Sequence, residues 1–387
     1  MNIKSLLLGS AAALIAVSGA RAADAVTVAE PEPAEYVKIC DVYGSGYFYI
    51  PGTETCLRIG GYVRYDIGLG DIGSFDGAKA IDKVDGDENS TWKKNARFTL
   101  KTWTGQETEL GTLKTYTETR FNFGNGRGTT DGIYGGVATT NPAGNKPVSL
   151  NFAWIQLGGL RVGKDESAFD TFIGYAGNVI QDTIVPYGGF DTNVVQYYFD
   201  AGNGFSAVVS LEEGYGDVYT IDSYVPHVVG GVKWTQGWGA VTGVLAYDSN
   251  YEQVTGKVRL DVNVNDQISL FGMFGYGNDG KLNDDNVIDA NGRGFYKIWG
   301  GNWAWWAGGT YKFNEKTSFN LQVSGDDDKN YGVAANVAYD VVPGFTVTAE
   351  VDWNHYGNFD TPTIYGNWTN ADKKNSVGGI LRFQRSF

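Results

Sequence analysis

Several residue types that catalysis and metal binding depend on are scarce in this chain. Its 387 residues include 2 cysteines, 2 histidines and 2 methionines. Neither His227 nor His355 stands in a recognisable pattern with a nucleophile or a metal ligand. We therefore expect both histidines to lie at a surface or a rim. We also expect no catalytic site, no metal site and no cofactor, so the protein is not predicted to be an enzyme.

Long hydrophobic runs are also missing, apart from one at the N-terminus. That run begins after Lys4, continues to Val17 and is followed by the sequence ARA at residues 20–22. A charged start, a short apolar centre and an A-x-A end are typical of a secretory signal, and the apolar part is too short to cross a bilayer as a helix. We predict that residues 1–22 are a signal peptide and that the mature chain begins at Ala23.

Basic residues are outnumbered by acidic ones. The chain has 30 lysines and arginines against 44 acids, a net charge of −14. Removal of the signal, which carries Lys4 and Arg21 and no acid, changes this to −16. Such a chain is not predicted to bind nucleic acid. The excess of acids would attract cations, so a mild preference for cations is expected if the protein passes ions.

Glycine and aromatic residues, by contrast, are plentiful, and they occur in segments of alternating polarity. From Leu57 to Phe387 we count about sixteen such runs, each of about ten residues, the length of a membrane-spanning β-strand. In the first run Leu57, Ile59 and Val63 share one face, while Arg58 and Arg64 share the other, because side chains alternate along a strand. Arginine is costly against lipid, so the basic face is predicted to point inward.

The connections between these runs alternate between short and long. Tight joints such as residues 158–159 and 343–344 take turns with long joints rich in Asp, Gly and Asn. A barrel in a membrane has this asymmetry because its two rims face different compartments. A soluble propeller or lectin would have more even turns. We predict an all-β fold, a sixteen-stranded antiparallel transmembrane β-barrel over residues 57–387, with eighteen strands as the alternative count. Both termini lie at the tight-turn rim, and an aqueous channel runs inside.

A separate element is predicted before the barrel, at residues 23–56. Its start is rich in proline and acids, and its end is bracketed by Cys40 and Cys56. Two cysteines in an exported chain are best interpreted as one disulfide, here closing a loop that contributes roughly 3 kcal/mol. We predict a small hairpin-like element in the periplasm, joined by this bond.

The joint at residues 164–193 is too apolar to remain in water as a simple outer loop. We predict that it is the third outer loop, folds into the barrel and narrows the channel, with its acids opposite a basic wall. In the alternative interpretation, the acids of this joint and the basic residues of the wall pair with one another inside the barrel. The acids are Asp165, Glu166, Asp170, Asp182 and Asp191. The basic wall consists of Arg58, Arg64, Arg97, Lys101, Lys114, Arg120 and Arg161.

Segments along the whole chain resemble the general porins of the Gram-negative outer membrane, more closely those of Brucella, Rhizobium and their relatives. The matching segments are YFYIPGTET at 47–55, GYVRYD at 61–66, TELGTLKT at 108–115, QLGGLRVG at 156–163, VVPGFTVT at 341–348 and GGILRFQRSF at 378–387. The resemblance implies a homotrimer that passes ions and small hydrophilic solutes by passive diffusion. A substrate-specific, sugar-type channel is the alternative, although Tyr62, Trp103, Tyr116 and Trp303 form no ordered aromatic track in the sequence.

The same resemblance implies several partners. The terminal Phe387 would be the signal read by the outer-membrane assembly machinery, and the barrel would lie in a membrane that contains lipopolysaccharide. Some members of this family are linked to peptidoglycan through the mature N-terminal residue, here Ala23. Independently of the resemblance, the third strand places Thr115, Thr117 and Thr119 on its outer face. Because this is a poor face for lipid, we expect subunit contacts around strands one to four.

Overall fold

A computed structural model describes residues 38–70, 77–126, 128–130, 138–278, 280–282, 287–288, 290, 292–357 and 374–387. Residues Ile39–Phe387 form one compact unit. The predicted signal peptide at 1–22 and the predicted mature start at Ala23 lie outside the described residues. Across the described ranges, no helix is long and apolar enough to cross a membrane.

Sixteen antiparallel strands, β1 to β16, form the barrel. In chain order they are Cys56–Gly70, Glu88–Thr108, Gly111–Asn125, Ser149–Leu157, Leu160–Glu166, Asp191–Asp200, Phe205–Glu212, His227–Gln236, Gly239–Asp248, Gln253–Asn263, Ile268–Gly277, Trp303–Lys312, Thr317–Asp326, Tyr331–Val342, Phe345–His355 and Asn375–Ser386. Short strands at Phe48–Tyr49, Gly77–Ile81, Gly128–Thr130, Ala138–Thr140 and Ala143–Asn145 accompany them. Two four-residue helices, α1 at Ala168–Thr171 and α2 at Gly216–Tyr219, lie in connections.

The sheet closes on itself where β16 pairs with β1. The register runs from Tyr62 opposite Ser386 to Gly70 opposite Gly378. The last residue extends this pairing, since the amide of Gly61 donates to the carbonyl of Phe387 at 3.1 Å and the reverse bond has the same length. Gly61 has φ of +151°, and a Cβ there would lie 2.0 Å from the Thr99 carbonyl oxygen, so only glycine fits. The predicted fold class and the count of sixteen are confirmed.

The connections between described strands alternate as predicted. Tight joints such as residues 109–110, 158–159 and 343–344 lie at the rim where β1 begins and β16 ends. Longer joints lie at the opposite rim, although those at 249–252 and 327–330 are only four residues long.

The barrel has an apolar face and a polar face, and the two alternate along each strand. On β10, Val258 is 57% exposed while its neighbour Lys257 is 2% exposed. Adjacent side chains point to opposite faces of a sheet, so apolar groups line one face and groups such as Ser210, Thr242 and Glu350 line the other. This arrangement is the inverse of a soluble protein, whose apolar face is buried.

The predicted disulfide between Cys40 and Cys56 is present, with Cα atoms 6.0 Å apart. It joins the segment before the barrel to the first residue of β1. The hydroxyl of Tyr43 donates to Glu107 of β2 at 3.0 Å, and the Tyr43 ring lies so close to Gly105 that a Cβ there would be 2.7 Å away. The segment is therefore held against the tight-turn rim at two separate points.

Candidate functional site

The connection between β5 and β6 is hydrogen-bonded to side chains on several strands of the barrel. It comprises residues 167–190, because Lys164, Asp165 and Glu166 continue β5 and pair with Asn193, Thr192 and Asp191 of β6. The predicted bounds of 164–193 are therefore corrected by a few residues at each end. Polar residues at those positions resembled a loop, but each one occupies a place in the ladder.

The loop begins with a capped helical turn. The Ser167 hydroxyl accepts from the amide of Phe169 at 3.1 Å and donates to Glu212 of β7 at 2.7 Å. Serine is a favoured N-cap because its oxygen satisfies an amide that has no helical partner. Gly174 and Gly177, with φ of +94° and +104°, then allow the chain to turn. Local sequence thus starts the loop, and a carboxylate on the wall fixes where it starts.

Further along, wall side chains bind the backbone of the loop. Glu350 of β15 accepts from the amides of Ile180 and Gln181 at 2.5 and 2.8 Å. Trp306 of β12 donates its indole N–H to the Val185 carbonyl at 2.7 Å. Two further contacts are Gln322 of β13 to the Asp182 carbonyl and Asn336 of β14 to the Asn178 carbonyl. The loop therefore lies against the polar face of the sheet, across strands β12 to β15.

Apolar side chains of the loop fill the space between it and the wall. Phe169, Ile173, Val185 and Tyr187 are each 0–1% exposed. The Tyr187 ring meets Trp306 edge to face, with centroids 6.2 Å apart. Burial of such side chains contributes about 1.5–3 kcal/mol each, which keeps the loop on the wall.

A buried ion pair joins α1 to β10. Lys257 donates to Asp170 at 2.5 Å, and both side chains are 0% exposed. The Lys257 ammonium also donates to the Tyr187 carbonyl at 2.8 Å and lies 4.0 Å from the centre of the Phe169 ring. Burial raises the pKa of Asp170 to about 7, with Lys257 opposing that shift. Asp170 was predicted to face the channel; instead it is enclosed under the loop.

The other acids of the predicted constriction are also held locally. Asp165 is 3% exposed and accepts from Arg161 at 2.7 Å. Lys164 binds Asp191, and Tyr175 binds Glu166. Three of the five predicted loop acids therefore lie outside the loop, and the pairing of Asp165 with Arg161 matches the alternative prediction of charges paired with one another. Asp165, Glu166 and Asp191 belong to strands, because alternation in the sequence does not reveal where a strand ends in a polar run.

Asp182 is the remaining acid of the predicted set, and it lies within the loop. It accepts from the Tyr187 hydroxyl at 2.6 Å. Burial raises its pKa to about 6, against the lowering effect of that hydrogen bond.

The predicted basic wall separates into two levels. In the upper level Arg64 lies directly opposite Arg97, and Lys101 lies opposite Glu118. Glu118 accepts from Lys101 at 3.1 Å and from Arg120 at 2.7 Å. Glu118 also lies opposite Phe152 of β4, one residue from the partner of Lys164. The row of Lys101 and Glu118 is therefore at the height where the loop leaves the wall, and Arg64 and Arg97 lie four residues further from the tight-turn rim along their strands.

Arg58, Lys114 and Arg161 form the lower level, nearer the tight-turn rim. Arg58 is paired in register with Trp103, and Lys114 is paired with Gly105. The Arg161 guanidinium lies 4.0 Å from the centre of the Trp154 ring. Sequence alternation reports which face a side chain is on but not its height, so a single wall was predicted.

Three basic residues of the polar face, Arg382, Lys257 and Arg259, were not among the predicted site residues. Arg382 of β16 donates to Asp66 at 2.7 Å and stands beside the row of Arg64. On the far wall Arg259 of β10 reaches the loop carbonyl of Tyr175 at 2.6 Å. Lys257 and Arg259 alternate with Val258 and Leu260, so the polarity pattern of β10 also indicates the polar face for both, but the predicted basic wall ends at Arg161. The β16 alternation likewise indicates Arg382, since Leu381 and Phe383 point outward.

Aromatic rings cover the lower inner wall on neighbouring strands. Trp103 of β2 stacks on Tyr116 of β3 with centroids 5.4 Å apart, and Tyr116 meets Trp154 of β4 at 5.7 Å. The Arg58 guanidinium covers Trp103 at 4.7 Å. An ordered set of rings does exist, contrary to expectation, since cross-strand register cannot be read from one strand at a time. The Arg58 guanidinium covers a face of Trp103, and the Arg161 guanidinium covers a face of Trp154.

A second connection also enters the barrel. Residues Phe295, Tyr296 and Trp299, between β11 and β12, are 0–2% exposed. The Gly189 amide donates to the Phe295 carbonyl at 2.8 Å, so this connection supports the loop at 167–190. The sequence predicts this connection only as a long polar joint, because much of it is rich in Asp, Gly and Asn.

The histidine predictions need one correction. His227 begins β8 and therefore lies at the rim, as predicted, but it is 0% exposed and so is not at the surface. Its Nδ1 accepts from the Ser249 amide at 3.0 Å, and its Nε2 lies 2.9 Å from the Tyr219 carbonyl. A residue beside proline in a polar stretch resembled a loop, yet two outer connections fold over it. In the described ranges, no group of acids, histidines and cysteines is arranged to hold a metal ion.

Comparisons with known proteins agree with this architecture. A family model described as "Porin subfamily" matches residues 24–380. The chain is 50% identical to porin Omp2b of Brucella suis and 49% identical to porin Omp2b of Brucella melitensis, with both chains covered fully in each case. It is similar in fold to a variant of the Rh. blastica porin and to an anion-selective porin from Comamonas acidovorans. These structures give TM-scores of 0.52 and 0.51 at 14% identity, and each match covers 86% of this chain and 100% of the other.

Proposed function

This chain belongs to the porin subfamily, and we propose that its loop at residues 167–190 sets the width of the channel. As an outer-membrane porin, it forms a water-filled channel through which ions and small hydrophilic solutes diffuse passively. Its family makes it a channel protein, with transport and not a reaction as its activity. The features that remain to be assigned are the segment that narrows the channel and the residues that give its wall a charge.

The loop's attachment to opposite parts of the wall carries this proposal. It leaves between β5 and β6 and is bonded to Glu350 of β15 and Trp306 of β12. A sixteen-stranded barrel is too wide for its own side chains to fill, so a segment fixed inside it defines the remaining opening. The apolar side chains buried beneath the loop keep it against the wall, because extension into water would expose them.

The charged part of the constriction is the upper level of the wall. Lys101 and Arg120 lie close to the height at which the loop leaves the wall. Arg64 and Arg97 lie further from the tight-turn rim, and Arg382 extends their row. Charged groups around a narrow aqueous path select ions by sign and orient polar solutes. The predicted mild preference for cations rests on the acidic net charge of the chain. The basic wall opposes that preference, so the sign of the selectivity stays a prediction.

The chain is also proposed to assemble as a homotrimer through strands β1 to β4. On the outer face, the hydroxyls of Thr102 and Thr117 lie 2.6 Å apart, and those of Thr104 and Thr115 lie equally close. These pairs satisfy each other's hydrogen bonds and leave a low, flat surface. Such a surface suits contact with a second subunit better than contact with lipid.

The remaining assignments place the chain relative to the envelope. Both ends of the barrel and the disulfide-bonded segment before it are proposed to face the periplasm. Phe387, 56% exposed at the tight-turn rim, is accessible to the assembly machinery. Ala23 would be the point of attachment to peptidoglycan, and lipopolysaccharide would surround the opposite rim.

Single-channel recording in a planar bilayer tests the function. The mature chain should give discrete conductance steps, and deletion of the loop contacts through Glu350→Ala should enlarge them. Absence of steps from correctly folded protein would overturn the channel. Unchanged steps in the variant, with the loop shown to be displaced, would overturn the loop's role only. A salt gradient in the same experiment gives the sign of the ion preference.

A further inference from the structure

A polar cleft of about 360 Å³ lies between the loop and the inner wall of strands β10 to β12. Its size is at the lower end of the range for small-molecule sites, roughly 300–1,000 Å³. Its lining includes Tyr175 and Asn178 of the loop, Asp261 of β10, Ser269 of β11 and Thr310 of β12. The basic residues that charge the channel in the proposed function lie on β1 to β3 and β16, so the cleft is separate from them.

The cleft contains an ion pair between Arg259 and Asp261, so its net charge is close to zero. Arg259 donates through Nε to both carboxylate oxygens of Asp261, at 3.0 and 2.9 Å, and through Nη2 at 2.8 Å. Its Nη1 binds the loop carbonyls of Gly174 and Tyr175. A carboxylate has about four acceptor sites, so Asp261, 34% exposed, keeps the capacity to accept from a ligand. The pair favours a neutral polar molecule over an ion.

Hydroxyl and amide groups surround this pair. Asn178 donates to the Thr310 hydroxyl at 2.9 Å, and that hydroxyl donates in turn to Asn320 at 2.6 Å. Ser269 and Asn263 are exposed on the same wall. A ligand with several hydroxyls, each a donor and an acceptor, matches such a mixture of groups.

One aromatic ring completes the cleft. Tyr175 is 44% exposed, and its hydroxyl binds Glu166, which holds the residue in place. On the opposite side, the Phe271 ring supports Arg259 at 4.5 Å. An exposed ring beside groups that bind hydroxyls suits a pyranose, which has an apolar C–H face and polar edges.

We propose that this cleft is a weak binding site for one neutral pyranose unit. The site rests on the proposed function, because a sugar can reach it only through the water-filled lumen. Its affinity is millimolar, so it retains sugars briefly and leaves the pore open to other solutes.

Saturation-transfer NMR with methyl α-glucopyranoside and the full mature protein tests this site. The protein is kept in a detergent without a sugar headgroup, so that no detergent competes. We expect a saturable signal from the ring C–H protons. Tyr175→Ala should weaken binding about fivefold to tenfold, the range for loss of an aromatic contact. Ser269→Trp should abolish binding by filling the cleft without removing a contact of the loop.

Tyr175→Phe is the matched control, because it keeps the ring and loses only the bond to Glu166. Its binding should stay within about twofold of the unaltered protein. A signal that does not saturate, or that is equal in all these variants, would overturn the site. Conductance steps are recorded for each protein. Steps without saturable binding leave the channel intact and reject the sugar site, whereas a lack of steps rejects the proposed function itself.

Discussion

The ammonium of Lys257 on β10 lies 2.5 Å from the carboxylate of Asp170 in α1, and solvent reaches neither side chain. The two residues are 87 positions apart in the chain. Removal of one partner from a buried pair leaves an uncompensated charge and costs about 3–5 kcal/mol. The pair therefore determines whether the loop can stay in its position.

We expect Lys257→Met to loosen the loop, because Asp170 is then buried without its cation. The conductance of single channels should rise, and the loop should become open to proteolysis. The double variant Lys257→Met with Asp170→Asn should recover most of the original conductance, since no charge is then buried. Equal conductance in the single variant and the unaltered protein would contradict this role.

Asp182 should make the attachment of the loop weaker as the pH rises. Burial raises its pKa from 3.8 to about 6, opposed by the hydrogen bond from Tyr187 and reinforced by Glu350 and Glu166. The folded state thus holds a proton that the unfolded state releases. The resulting stabilisation, roughly 3 kcal/mol at most, is complete below about pH 4 and is lost by about pH 6.

Thermal denaturation of the unaltered protein and Asp182→Asn at pH 4.5 and pH 7.5 checks this dependence. The amide keeps the shape of the carboxyl and does not ionise. The variant should therefore lose less stability between the two pH values. Identical slopes would show that Asp182 does not contribute.

Glu118 should control the charge of the constriction, because it neutralises two cations at once. It accepts from Lys101 at 3.1 Å and from Arg120 at 2.7 Å, and it is 2% exposed. Glu118→Gln leaves both cations without a carboxylate. We expect the reversal potential in a salt gradient to shift toward anions, whatever the starting preference.

Glu107→Gln is the matched control for this experiment. Glu107 lies on β2, on the same face of the sheet as Glu118 but near the tight-turn rim, where it binds Tyr43. Its reversal potential should stay close to that of the unaltered protein. A shift of equal size in both variants would assign the effect to net charge alone.

Charged substitutions on the threonine face should weaken the trimer. Thr115→Asp and Thr117→Asp place a carboxylate where we propose a neighbouring subunit, without altering the inner wall. We expect the temperature at which trimers dissociate in detergent to fall. Val258→Asp on β10 is the control, because it lies on the outer face far from β1 to β4. A similar fall in all three variants would contradict the placement of the interface.

Much of the barrel could be predicted because a membrane-spanning strand has a simple pattern. The predicted count of sixteen strands and the predicted tight joints at residues 158–159 and 343–344 coincide with the observed ones. Alternation reports faces directly, since lipid excludes charge from one side. The same rule assigned Arg64 and Arg97 to the interior without any knowledge of their partners.

The site was harder to predict because it depends on which strands become neighbours. The pairing of Glu118 with Lys101 follows from the register of β2 and β3, and the burial of Asp170 follows from its contact with β10. No local pattern contains such information. His227 shows the same limit, because the residues that cover it, Tyr219 and Ser249, come from two other connections.

The bond between Ile180 and Glu350 has a consequence for the order of folding. Its partners are 170 residues apart, and β15 is nearly the last strand to emerge. Contacts of such large sequence separation form slowly, because a long stretch of chain must first be ordered. The loop therefore cannot dock until the sheet is almost complete, and until then its aromatic side chains are exposed to water. Its arrival is a late kinetic step, and a chaperone that shields apolar segments would act during this interval.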